Sequence, residues 1–75
     1  MKKTFYTGEA VRRTIESLTA SGATAKTHYS SDGQPAHVIT KEGYKTLVFL
    51  FQGIHDDGRS LYSLKKYNTT PKKYA

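Results

Sequence analysis

Residues 44–67 read Tyr44-Lys45-Thr46-Leu47-Val48-Phe49-Leu50-Phe51-Gln52-Gly53-Ile54-His55-Asp56-Asp57-Gly58-Arg59-Ser60-Leu61-Tyr62-Ser63-Leu64-Lys65-Lys66-Tyr67. Two apolar runs flank a break rich in Asp and Gly, the pattern of two strands joined by a turn. The first, Tyr44 to Gln52, is apolar on both faces. Side chains alternate along a strand, so Leu47, Phe49 and Phe51 point one way and Val48 and Leu50 the other. In the return strand, Arg59 to Tyr67, Leu61 and the Tyr62/Leu64 pair divide between the faces in the same way. A strand that is apolar on both sides needs a covering layer on each.

Outward from this hairpin the elements follow one by one. Lys41-Glu42-Gly43 predicts the preceding turn, and His37 to Thr40 a strand before it. Asp32-Gly33 signals another hairpin, whose first strand carries Ala23, Ala25, Thr27 and Tyr29 alternating with Thr24, Lys26, His28 and Ser30. Pro35 lacks an N–H and puts this hairpin at a sheet edge. Further upstream, Val11, Ile15 and Leu18 form the i, i+4, i+7 stripe of a helix over residues 8–21. Thr7 is its N-cap, Glu9 complements the dipole in its first turn, Arg12 and Glu16 pair at i, i+4, and Gly22 closes it.

The expected fold is therefore α+β: an N-terminal helix packed on a four-stranded antiparallel meander in the order αββββ. It is one domain, with a basic segment at 1–6, a folded core at 7–67 and a basic tail at 68–75. A single short helix covers one face of such a sheet. The other face then meets a second copy or a partner, the expectation favoured here, or is covered by the chain's own tail or N-terminal segment. The apolar contact surface is expected around Phe49, Phe51, Tyr62 and Leu64.

Charge is distributed unevenly along the chain. Residues 7–64 hold six cations and six anions, so the net charge of +6 resides in Lys2, Lys3, Lys65, Lys66, Lys72 and Lys73. With Tyr67 and Tyr74 beside them, these lysines suit an acidic protein surface, where charge mainly speeds encounter. The alternative is nucleic acid, with lysines on phosphates and tyrosines stacked on unpaired bases. At 75 residues with no cysteine, the chain has a thin core and no staple. Its longest apolar run has five residues, Leu47 to Phe51, against the ~20 needed to span a bilayer. No apolar stretch follows Met1-Lys2-Lys3, so no signal peptide is expected, and the chain is expected in the cytoplasm.

Catalytic chemistry finds little footing. A symmetric turn about Asp32-Gly33 sets His28 opposite His37, but two imidazoles without a third ligand do not make a tetrahedral metal site. His55-Asp56-Asp57-Gly58 places a carboxylate near an imidazole, yet it spells a turn. There is no nucleophile motif and no phosphate-cradling glycine loop. No catalytic residue, cofactor or metal is expected.

The order of helix, strands and the segment Leu47 to Tyr62, with its acidic-Gly turn, resembles the YbjN-like family, whose fold is shared with type III secretion chaperones. The resemblance covers residues 8–67, about the first half of a typical member. It implies a non-enzymatic regulatory or protein-binding module and brings no catalytic residue. Small cysteine-free chains are also frequent among phage-encoded inhibitors of host defence complexes, an association of size and composition. Together these point to a small dimeric module that binds and regulates or inhibits a larger partner, with Lys65, Lys66, Lys72 and Lys73 as steering charge.

Overall fold

The structure is a computed structural model, and it describes residues 4–74. The elements run β1 (Tyr6–Thr7), α1 (Gly8–Ala20), β2 (Thr24–Tyr29), β3 (Pro35–Thr40), β4 (Thr46–Ile54), β5 (Ser60–Tyr67) and a 3-10 turn at Lys72–Tyr74. The strands form one antiparallel sheet in the order β1-β5-β4-β3-β2. The four-stranded meander is present, and a fifth strand, β1, precedes the helix and pairs Tyr6 with Tyr62 and Thr7 with Leu61. Two residues carry no periodicity, so this strand leaves no mark in the sequence.

The helix forms where its caps place it. Thr7 Oγ1 accepts from the Ala10 N–H at 3.2 Å, and Glu9 lies in the first turn. Two exposed ion pairs, Arg13–Glu9 and Arg12–Glu16, each close to 2.8 Å. At the other end the Ala23 N–H donates to Leu18 and the Gly22 N–H to Thr19, with Gly22 at φ 102°. This double closure satisfies the last carbonyls and turns the chain sharply into β2. The buried stripe of Val11, with Ile15 and Leu18, packs on Ala23, Ile39, Phe49 and Tyr62. Tyr6 completes this side, its ring edge-on to Phe49 at 5.7 Å.

The opposite face is covered by the chain's own tail. After β5 the backbone doubles back through residues 68–71, and Tyr74 packs with Tyr67 and Leu50 on Ala36, Val38 and Val48. Thr70 and Thr46 share a hydroxyl hydrogen bond of 2.7 Å, which satisfies the buried Thr46 side chain under this strap. Val48 is 0% exposed and Phe49 2%. The expectation that another molecule must complete the burial of this face is thus corrected at its centre: a second copy is not needed to bury Val48. Sequence periodicity located both apolar faces but could not show a polar, lysine-rich tail returning over one of them.

The first hairpin also differs from expectation. Ser30 pairs with Gln34 around a loop of Ser31, Asp32 and Gly33, with Gly33 at φ 83°. A three-residue loop ending in a left-handed glycine shifts the register by one relative to a two-residue turn. His28 therefore faces Ala36, and His37 faces Thr27. The two imidazoles lie on opposite faces of the sheet.

Candidate interaction surface

The surface is best built from its charges. The described arginines are all committed: Arg12 to Glu16, Arg13 to Glu9, and Arg59 to Asp57 at 2.9 Å. No lysine among the described residues makes an ion pair, so Lys26, Lys41, Lys45, Lys65, Lys66, Lys72 and Lys73 present ammonium groups without a carboxylate partner. Lys2 and Lys3 lie outside the described residues.

The sheet sorts these lysines by face. Residues opposite each other in a ladder share a face. Lys65 is opposite Val48 and Lys26 opposite Val38, which puts both on the strap side, where Lys72 and Lys73 are also exposed. Lys66 is opposite Leu47 and emerges on the helix side, as alternation along β5 requires. There it meets Lys41 and Lys45 of the β3–β4 turn around a groove of about 310 Å³ floored by Leu18, Ile39 and Leu47. A second groove of about 340 Å³ lies on the strap side, between His28, Leu50, Lys73 and Tyr74. His28 Nε2 is buried without a hydrogen-bond partner.

The expected contact residues are dispersed by the fold. Phe49 and Tyr62 are core, packed with Val11, Ile15 and Leu18 of α1 and with the ring of Tyr6. Phe51 is half-buried with its ring edge-on to Tyr62 at 5.6 Å, and Leu64 is half-buried beside them. Tyr67 and Tyr74 are half-buried under and within the strap, Tyr74 edge-on to His28 at 5.8 Å. Of the expected set only Lys65, Lys66, Lys72 and Lys73 are exposed. Sequence reading missed Lys41, Tyr44 and Lys45, because Lys41-Glu42-Gly43 reads completely as a turn. It also missed Lys26, hidden in an alternating strand.

The candidate acid-base groups are structural in their surroundings. Asp57 accepts from the Arg59 N–H at 3.1 Å, and that bond, with the charges of Arg59 and His55, holds its carboxyl below the usual range. His55 Nδ1 stands 3.2 Å from the same carboxylate. The cluster shapes the β4–β5 turn, with the His55 N–H donating to Arg59 at 2.7 Å. Among the described residues no group of three His, Asp or Glu side chains is arranged to hold a metal. No helix among them is long and apolar enough to cross a membrane.

Compared with family models, curated proteins and solved structures, the chain has no match in any of the three.

Proposed function

We propose that this chain is a small non-enzymatic binding module that docks an acidic protein surface and regulates or inhibits the partner by occupying it. The observation that carries this reading is the division of labour among the cations of the described residues: each arginine is in an ion pair, and no lysine is. Free ammonium groups on flexible stems are long-range attractors that speed encounter with a negative surface.

Nucleic acid is the second reading, and three features weigh against it. Tyr67 and Tyr74, the expected stacking platforms, are engaged in the chain's own packing. The planar arginine forks that grip phosphate are already held by Glu9, Glu16 and Asp57. The lysines of the described residues also divide between the two faces of the sheet, so one strand of nucleic acid lying on either face would meet only part of them.

The test is fluorescence anisotropy with a labelled acidic peptide and a single-stranded oligonucleotide of equal charge, titrated across salt. The expected result is tighter binding of the peptide at about 0.15 M salt, weakening as salt screens the lysines. Tighter binding of the oligonucleotide, with a log-log salt slope of about −0.7 per phosphate contacted, transfers the protein to the nucleic-acid class.

A further inference from the structure

We infer that the groove between the last turn of α1 and the β3–β4 end of the sheet is the docking site for an acidic polypeptide segment carrying one large apolar anchor side chain. This rests on the acidic-partner reading above and assigns it a place and an anchor.

The groove exists because the helix stops short. The double closure at Leu18 and Thr19 sends the chain away into β2, and the corner of the sheet beyond Ala20 is left without a lid. Its floor is core material reaching the surface: Ile39 belongs to the buried cluster, and Leu18 and Leu47 pack against it. A volume of about 310 Å³ lies at the small end of the roughly 300–1,000 Å³ typical of ligand pockets, room for a single large side chain rather than a cofactor.

The rim sets the charge of the occupant. Among the described residues Lys41, Lys45 and Lys66 line the groove and no carboxylate does; Glu42 of the same turn lines the adjoining groove with Gly22 and Thr24. Lys41 is held in place, its Nζ 3.3 Å from Ser21 Oγ and 4.8 Å from the centre of the Tyr44 ring. Tyr44 is itself 67% exposed, a large aromatic surface left at the edge of an apolar floor. An apolar centre ringed by charge is the layout in which a buried anchor supplies affinity and the rim supplies rate and sign selection. A nucleobase would find no hydrogen-bonding group on a floor of Leu18, Ile39 and Leu47, and a peptide's Phe or Leu would need none.

The experiment uses the full chain and a labelled peptide of Glu and Asp residues around one Phe, with a second peptide carrying Ser in place of that Phe. Reversing two exposed rim charges (Lys45→Glu with Lys66→Glu) is expected to weaken binding of the Phe peptide about tenfold or more, as is the Phe-to-Ser change. Lys72→Glu with Lys73→Glu, on the other side of the sheet, is expected to change it less than about threefold. Methyl resonances of Leu18, Ile39 and Leu47 are expected to shift on peptide addition. Binding lost through Lys72 and Lys73 alone, or indifferent to the Phe, overturns the groove and leaves the acidic-partner reading standing. Absence of binding to either acidic peptide overturns both readings, and preference for a matched oligonucleotide does the same.

Discussion

His37 lies on the helix-covered side of β3, its ring 5.4 Å from that of Tyr62 and its Nδ1 3.0 Å from Thr27 Oγ1. Burial disfavours the charged ring and lowers its pKa from the ordinary 6.5. Below that value and above the folded one, the unfolded chain therefore binds more protons than the native chain. Stability is full above about pH 6.5 and falls as the pH drops toward the folded-state pKa. Thermal melts between about pH 7 and 5 are expected to show this decline, and His37→Gln is expected to flatten it. The acidic side chains with shifted values, Asp32 and Asp57, are depressed from 3.8, so their stabilisation is present above that value, is lost only as the pH falls below it, and leaves this window untouched. An undiminished slope in the variant would locate the proton elsewhere. At this scale the sequence is legible for type and blind to cover. Phe49 and Tyr62 are conspicuous as large apolar residues in strands, but whether such residues meet a partner or their own helix depends on contacts many positions away.

Among the elements, the helix was the most readable, because its caps and stripe are local signals with local causes. The strands were readable for the same reason, but their registers were not. The loop of Ser31, Asp32 and Gly33 turns on one additional residue, and that residue moves His28 and His37 to opposite faces. The tail was the least readable. Residues 68–74 look like a solvated basic segment, yet they form a strap whose Tyr74 closes over Val38 and Val48. A chain ending at Asn68 is expected to lose roughly 1–2 kcal/mol, the apolar burial by Tyr74 less the entropy of ordering the strap. It is also expected to self-associate through the uncovered face. Urea unfolding and sedimentation measure the two effects; an unchanged midpoint in a trimmed chain that stays monomeric would show that the strap contributes no burial.

The whole molecule is one sheet between two unequal covers, with half-cores on either side built around Phe49 and Val48. With so thin a core, its net charge of +6 and its unpaired lysines are a standing cost of self-repulsion. Raising salt from about 0.01 to 0.1 M shortens the screening length from about 30 to 10 Å. That relieves repulsion among lysines and weakens the exposed Arg–Glu pairs, each worth only about 0.3–0.5 kcal/mol. Repulsion is the larger effect, so the melting temperature is expected to rise by roughly a few degrees in calorimetry. A fall would mean that the ion pairs on α1 outweigh it. From its own order of residues the chain determines its α+β class, the helix with both caps, the strands and their two apolar faces, and the excess of lysine over acid. Each of these follows from neighbours within a turn or a hairpin. Only the tertiary structure decided which molecule covers each face, where β1 joins the sheet, and that Lys41, Lys45 and Lys66 gather around one apolar groove. Those outcomes depend on chain return and register, which bring distant residues together and leave no periodic trace.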